Sequence, residues 1–252
     1  MSASRPEVAA EVLAEFRLRG GLKADNPDGW GFAWWEGGAF HLAKEPLPAH
    51  RSALFEDLSA KTRSNLIVAH VRKAKFPPVN TLKNTHPFLR TCCSKVWVFA
   101  HNGLVPDIVE MEQANGKAVC WPIGETDSEY AFCHLLSHLA QNSNDGAPVA
   151  NAPVSFTSLA MVSELVASHG KFNFLMSDGE HLIAYGHDRL HYLERSGAPA
   201  DSAMIATEPL PGNEGWVSFE PGELRIYRFG RIAERILTRP SGRMDSLERA
   251  SP

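Results

Sequence analysis

The chain has 252 residues, room for one large domain or two small ones at roughly 150 residues each. With 44% hydrophobic and 21% charged residues it has a globular composition, which excludes collagen-like, disulfide-scaffold and wholly disordered chains. The 25 basic and 29 acidic residues leave a net charge of −4 without any Lys/Arg block, so no nucleic-acid partner is expected.

No segment approaches the ~20 consecutive apolar residues of a membrane-spanning helix. Met1 to Arg19 alternates apolar with charged residues, unlike a secretory signal. A cytoplasmic protein with no membrane partner is the expectation. Cys92, Cys93, Cys120 and Cys133 are too few for a disulfide framework and contain no CxxC, so reduced structural thiols are expected. Cys92 and Cys93 could be linked to each other only in a strained vicinal bond.

Ser4-Arg5-Pro6-Glu7 has the form of a capping box with Pro in the first turn, and Val8, Val12, Leu13 and Phe16 follow at helical spacing. The pattern predicts a helix from Pro6 to Arg19, closed by Gly20-Gly21. A polar loop through Asn26-Pro27-Asp28-Gly29 leads into the aromatic run Trp30 to Trp35. That run reads as a strand with Trp30, Phe32, Trp34 and Trp35 as packing residues, followed by a hairpin turn at Glu36-Gly37-Gly38. The apolar segments Asn65 to Ala74 and Lys95 to His101 read as buried strands, the second broken at Asn102-Gly103. Period-2 geometry sets His70 and Arg72 on one face of the first, and that face needs a polar partner.

Asp127 opens a helix with Tyr130, Ala131, Leu135, Leu136 and Leu139 at helical spacing and Thr126 or Asp127 as N-cap. Asn142 to Pro153 reads as a loop, and Val154 to Ala167 as a second helix ended by Gly170. Short strands return at Phe172 to Met176, Leu182 to Tyr185, Leu190 to Leu193, Met204 to Thr207 and Glu223 to Arg228, with a turn at Ser177 to Glu180. This half is predicted to be a β-meander. No repeat or linker divides the chain, so one domain is expected over 1–238, with a disordered tail over 239–252. Helix, strands, two helices and strands in that order define an α+β layout.

Polar clusters sit where apolar strands end: Asp28-Gly29-Trp30-Gly31, His70-Val71-Arg72, Asn84-Thr85-His86-Pro87-Phe88 and His101-Asn102-Gly103, with Gly124-Glu125-Thr126-Asp127 at a helix start. Arg72 offers a fork for a carboxylate and Asp127 can take an ammonium group, together matching the charged ends of an amino acid. Asn102 and Gly103 supply a side-chain amide and an open backbone N–H, the donors an oxyanion needs, and this suggests acyl transfer. Each residue also has a plainer reading. Arg72 alone is a strand-end ion pair, Asp127 an N-cap, and Asn102-Gly103 a turn. His70, His86 and His101 follow no metal-ligand spacing, so no metal is expected.

In order and spacing, DGWG, AHVRKA, NTHPF, FAHNG, GETDSE, FNFLMSDG and ATEPL resemble the class II (type 2) glutamine amidotransferase family, of the N-terminal-nucleophile hydrolase fold. The resemblance covers most of Asp28 to Glu223. It implies a four-layer αββα sandwich, with Arg72 on the glutamine α-carboxylate and Asp127 on its α-ammonium group. Asn102 and Gly103 become the oxyanion hole, and His86 shapes the substrate pocket. The implied activity is hydrolysis of glutamine or a γ-glutamyl amide through a cysteinyl thioester, without a cofactor. Ammonia or an amine is released, either to a separate synthase or from a free-standing amidohydrolase.

In that family the nucleophile is an N-terminal cysteine whose own α-amine is the base. This chain starts Met1-Ser2-Ala3-Ser4, and the resemblance places a short strand of the form Cys-x-Leu-Leu-Gly ahead of Met1. Two readings stay open: a native chain that extends upstream with Met-Cys, or a catalytically inactive protein that retains a glutamine site. Cys92, Cys93, Cys120 and Cys133 lack a free α-amine and cannot replace that nucleophile directly.

Overall fold

A computed structural model describes residues 1–75, 77–142, 154–212 and 214–240. The first half runs β1 (Ser2–Val8), α1 (Ala10–Leu18), β2 (Trp30–Glu36), β3 (Ala39–Glu45), α2 (Ala53–Lys61), β4 (Arg63–Val71), β5 (Phe88–Cys92), β6 (Lys95–Leu104) and α3 (Ile108–Gln113). The second runs α4 (Asp127–Asn142), α5 (Phe156–Ala167), β7 (Lys171–Ser177), β8 (His181–Gly186), β9 (His191–Arg195), β10 (Ser202–Ala206), β11 (Val217–Ser218), β12 (Glu223–Arg228) and β13 (Arg231–Leu237). The strands form two antiparallel sheets. One has seven strands in the order β11-β9-β10-β1-β4-β2-β3, the other six in the order β13-β12-β8-β7-β6-β5.

The apolar runs of β4, β6 and β8 follow from burial on both faces. Alternate residues Leu66 and Val68 of β4, Val98 and Ala100 of β6, and Leu182 and Ala184 of β8 meet in the core between the sheets. Ile67 of β4 turns the other way, to Leu13 of α1 and Phe55 of α2. Phe99 of β6 and Ile183 of β8 turn outward to Phe132 of α4 and Val162 of α5. The result is the expected αββα sandwich, with α1 and α2 on one sheet and α3, α4 and α5 on the other.

The predicted helix at Pro6 begins only at Ala10, and Ser2–Val8 is a strand. The local capping pattern is overruled by the two strands that flank β1. Ser2 pairs with Leu66 of β4 and with Ala203 of β10, and Glu7 and Val8 pair with Ser64 and Arg63. Pro6 falls where the β1–β4 register shifts, a place where its missing N–H is tolerated. Asn102-Gly103 is likewise no turn. Strand β6 continues to Leu104, with Asn102 opposite Asn173 and Gly103 opposite Phe172 of β7. The last strands do not form one meander either, because β7, β8 and β12 belong to one sheet and β9, β10 and β11 to the other. Strands β3, β5 and β13 and helix α2 complete the layers without having been predicted.

Thr126 caps α4, its Oγ1 accepting from the Glu129 amide at 3.1 Å, and Ser155 caps α5 by accepting from Ser158 N. Instead of reduced thiols at all four positions, Cys120 and Cys133 form a disulfide, with Cα atoms 5.0 Å apart. The cause is the segment before α4 folding back on the helix, where Val119 N donates to Ser137 Oγ and Ile123 N to Glu129 Oε1. Cys92 and Cys93 are free. Of the loop predicted over 142–153, Asn142 is the last residue of α4 and 143–153 lie outside the described residues, as do 241–252 of the tail predicted over 239–252. No described helix is long and apolar enough to cross a membrane.

Phe55 is fully buried, edge-on to Trp30 at 4.9 Å and to Phe32 at 6.1 Å between ring centroids. Phe55→Ala is expected to destabilise the fold by about 3–5 kcal/mol through the cavity it leaves. Leu22→Ala, at an exposed position, is expected to stay within about 0.5 kcal/mol. Urea unfolding of both variants measures the difference.

Candidate active site

Four strand or helix ends meet at one edge of the sandwich, around a cavity of about 340 Å³. Arg72, Asn102, Gly103, Asp127 and His86 all line it, so every site residue expected from the sequence arrives at one place. His70 and His101, picked out as polar residues of the strands and set aside as metal ligands, line it too.

Arg72 follows the last residue of β4 and is 3% exposed. Its backbone is clamped to the Asp28-Gly29 loop, with Arg72 N donating to Gly29 O at 2.8 Å and Asp28 N to Arg72 O at 2.9 Å. One guanidinium nitrogen donates to Val79 O at 3.1 Å. Burial pulls the Arg72 pKa below its ordinary value, while the charges of Asp28 and Asp127 act in the opposite direction. Asp28 is itself tied down, accepting from Ala74 N at 2.8 Å.

Asp127, the first residue of α4, is 4% exposed. Its Oδ2 accepts from Val105 N at 2.7 Å and its Oδ1 from Ser128 N at 2.8 Å, which fixes the carboxylate at the positive end of the helix. Ser128 Oγ also bonds His101 Nδ1 at 2.9 Å, and His101 Nε2 lies 3.1 Å from Lys171 O. Strand β6 and helix α4 are thereby locked together behind Asp127. Burial pushes the His101 pKa down, opposed by the Asp127 charge and the Lys171 carbonyl.

On β6, Asn102 lies on the face shared with Val98 and Ala100, toward the other sheet. Its Nδ2 donates to Thr207 Oγ1 just past β10 at 3.0 Å, and its carbonyl accepts from Asn173 Nδ2 at 3.1 Å. Asn173 Oδ1 also accepts from His187 N and Asp188 N, which anchors the end of β8. Gly103 permits a close approach: a Cβ there would lie 1.7 Å from Lys171 O and 2.6 Å from His101 Nε2.

The NTHPF and GETDSE segments are joined by side chains. Asn84 Oδ1 accepts from Glu125 N at 2.9 Å, and Lys83 pairs with Glu125 at 2.8 Å. Buried Glu129 forms an ion pair with Arg90 and accepts from Gly124 N at 2.6 Å. The His86–Pro87 step reaches its place over Gly31 of β2, where a Cβ would come within 2.0 Å of His86 O. His86 is 4% exposed, its ring 4.3 Å from that of His70, and neither ring nitrogen has a partner among the described residues. Burial holds both imidazoles neutral, His70 at about 3 and His86 well below its ordinary value, with Arg72 adding to the effect.

Trp30 stays a packing residue. It is fully buried against Phe55, with Nε1 donating to Glu45 Oε2 at 3.0 Å. Thr207, Ser128 and Asn173 lie within the ATEPL, GETDSE and FNFLMSDG runs but were given no role of their own from the sequence. Asn173 carried one available signal, a polar residue in the apolar run FNFL.

The cavity also reaches a gap in the seven-stranded sheet. Beyond Met1, whose N and O both bond to Ile67 of β4, no described strand lies between Val68–Val71 of β4 and Met204–Ala206 of β10. Met1, Ala69, Met204 and Ala206 line this slot.

A family model for class II glutamine amidotransferases matches residues 1–201, and the chain belongs to that family. It is 34% identical to YafJ of Escherichia coli (strain K12) over 254 residues, covering 91% of this chain and 96% of YafJ. A more distant relative, 26% identical over 76% of this chain and 71% of its own length, is a gamma-glutamyl-hercynylcysteine sulfoxide hydrolase of Mycobacterium tuberculosis (strain ATCC 25618 / H37Rv). A Pseudomonas aeruginosa crystal structure of a predicted glutamine amidotransferase superposes with a TM-score of 0.64 at 29% identity, over 86% of this chain and 91% of the other. Glutamine phosphoribosylpyrophosphate amidotransferase of B. subtilis, at 14% identity and a TM-score of 0.63, shares the fold over 94% of this chain and 48% of its own.

Gly103→Ala is expected to cost about 1–3 kcal/mol of stability by forcing β6 and β7 apart, measurable by urea unfolding. The neutral histidines set a pH dependence. Their folded pKa values lie below the unfolded value of about 6.5, so the unfolded state binds more protons and stability falls as pH drops below that point. Between pH 7 and pH 5 the expected loss is on the order of 2 kcal/mol from His70 alone, and His86 adds to it. His70→Asn is expected to make the slope shallower, and unfolding midpoints across that range test it.

Proposed function

We propose that the cavity binds the glutamyl half of glutamine or a γ-glutamyl amide and that the chain hydrolyses its side-chain amide bond. The observation that carries this reading is the convergence of a buried cation, Arg72, and a buried anion, Asp127, on one cavity with Asn102 and Gly103. Arg72 takes the α-carboxylate through its fork, and Asp127 takes the α-ammonium group. Asn102 Nδ2 and the Gly103 N–H receive the oxyanion that develops on the amide oxygen. His86 shapes the wall of the pocket.

The nucleophile in this reading is a cysteine on a short strand ahead of Met1, seated in the slot between β4 and β10. The unpaired backbone edges of Val68–Val71 and Met204–Ala206 support it, because they offer a strand hydrogen bonds on both sides. The internal cysteines are occupied elsewhere: Cys92 and Cys93 end the β5 side of a hairpin, and Cys120 and Cys133 are bonded to each other. The thiolate attacks the amide carbon, and the cysteine α-amine relays the thiol proton to the departing amine. Water then hydrolyses the thioester to glutamate. The relative that is a gamma-glutamyl-hercynylcysteine sulfoxide hydrolase supports a free-standing amidohydrolase over delivery of ammonia to a separate synthase.

The intact mass and N-terminal sequence of the protein from its native source are expected to show an N-terminal cysteine a few residues ahead of Met1. The chain so extended is expected to release glutamate and ammonia or an amine. Replacing that cysteine with Ala abolishes release. Arg72→Ala and Asp127→Ala each lower kcat/KM by at least about 30-fold, the equivalent of an unpaired buried charge at about 2 kcal/mol or more. A native protein that begins at Met1 or Ser2 and binds glutamine without turnover makes it a non-catalytic glutamine-site protein. Unchanged kinetics in both variants refute the substrate assignment.

A further inference from the structure

Past Thr207 the cavity wall changes character. The glutamyl anchors give way to Phe16 and Arg19 around the end of α1 and to Leu210 and Trp216 in the segment after β10. Ammonia as a leaving group would use none of this surface. An organic amine with an apolar side chain would bury Phe16, Leu210 and the Trp216 ring.

Two polar atoms in this wall are unsatisfied. Arg19 Nε and Trp216 Nε1 are both buried and have no hydrogen-bond partner among the described residues. Arg19 uses another of its nitrogens to pair with Glu208, which leaves Nε free. Both atoms can only donate, so the group that satisfies them must be an acceptor. A buried donor left without an acceptor is destabilising, and native interiors seldom keep one without a reason.

The charge at this end has the same sense. Besides Arg72 and Asp127, the charged residues of the lining are the cations Arg19, Lys73, Lys75 and Arg189 and the acid Glu208. Glu208 pairs with Arg19, Asp25 with Lys73, and Asp188 lies 3.5 Å from Arg189, so the cationic excess of this lining is small and rests on Lys75. An anionic acceptor on the ligand fits this end better than a neutral one. The slot between β4 and β10 is a separate part of the cavity, bounded by strand edges, whereas this wall is built of side chains.

We propose that this wall is a leaving-group subsite, and that the preferred substrates are γ-glutamyl amides whose amine carries an apolar side chain and a carboxylate, as in a γ-glutamyl dipeptide. The inference rests on the glutamyl-site reading above and adds the identity of the other half of the substrate. The apolar side chain packs on Phe16, Leu210 and Trp216, and the carboxylate accepts from Arg19 Nε and Trp216 Nε1.

Isothermal titration calorimetry of the 252-residue chain tests both levels with three ligands: glutamine, γ-glutamylphenylalanine and γ-glutamylphenethylamide, which lacks the second carboxylate. The dipeptide is expected to bind at least about tenfold tighter than glutamine, with the phenethylamide between them. Trp216→Phe, which keeps an aromatic ring and removes the N–H, and Arg19→Leu are expected to reduce the preference of dipeptide over phenethylamide toward one. If glutamine binds and the dipeptide binds no tighter, the subsite is refuted while the glutamyl site stands. If the phenethylamide binds as tightly as the dipeptide, the carboxylate assignment is refuted. If neither glutamine nor the dipeptide binds, the glutamyl-site reading itself fails.

Discussion

Strands buried on both faces govern the rest of this structure. Strands β4, β6 and β8 lie between a helical layer and the opposite sheet, so a polar side chain along them has no water to solvate it. Polar residues therefore collect where the strands run out, and antiparallel pairing brings several of those ends to one edge. Arg72 at the end of β4 and Asn102 near the end of β6 are held in one cavity by the same packing that excludes them from the strand interiors. The site and the core are two consequences of one layered arrangement.

Within the site, charge is distributed by neutralising the bases that could compete. His70, His86 and His101 all have pKa values pushed below the ordinary imidazole value, chiefly by burial. At neutral pH that leaves Arg72 as the buried cation facing Asp127 and Asp28. In the proposed reading, a zwitterionic amino-acid end meets one fixed positive and one fixed negative group. The carboxylate of Asp127 is already oriented by Val105 N and Ser128 N. Such preorganisation means that little ordering remains to be done when a ligand arrives.

The sequence was most informative where periodicity and chemistry agreed. The paired β-branched runs around Ile67 and Val98, the helix opened by Thr126-Asp127, and the residues Arg72, Asn102, Gly103, Asp127 and His86 were all legible, and the structure gathers the last five into one cavity. It misled where a local signal met a stronger nonlocal one. Ser4-Arg5-Pro6-Glu7 is a sound capping box in isolation, yet the edges of β4 and β10 on either side of Ser2 offer a sheet ladder that one helical turn cannot match. Asn102-Gly103 is a strong turn pair, yet Asn173 and Phe172 across the ladder keep it extended. Neither partner is visible from the segment itself. The Cys120–Cys133 pairing was hidden for the same reason, since it depends on a loop folding onto α4.

The outer wall was silent in the sequence for a different reason. Arg19 and Trp216 carry no motif, Leu210 only closes the ATEPL run, and they come from segments almost two hundred positions apart, so only the closed fold shows that they face one space. Arg19 arrives there because β1 occupies the middle of its sheet and delivers α1 to the cavity rim. Thr207 is the joint between the two halves. It receives Asn102 from the opposite sheet at 3.0 Å and begins the segment that carries Leu210 and Trp216. In the proposed reading, the oxyanion donor Asn102 and the leaving-group wall are thus connected through one hydroxyl.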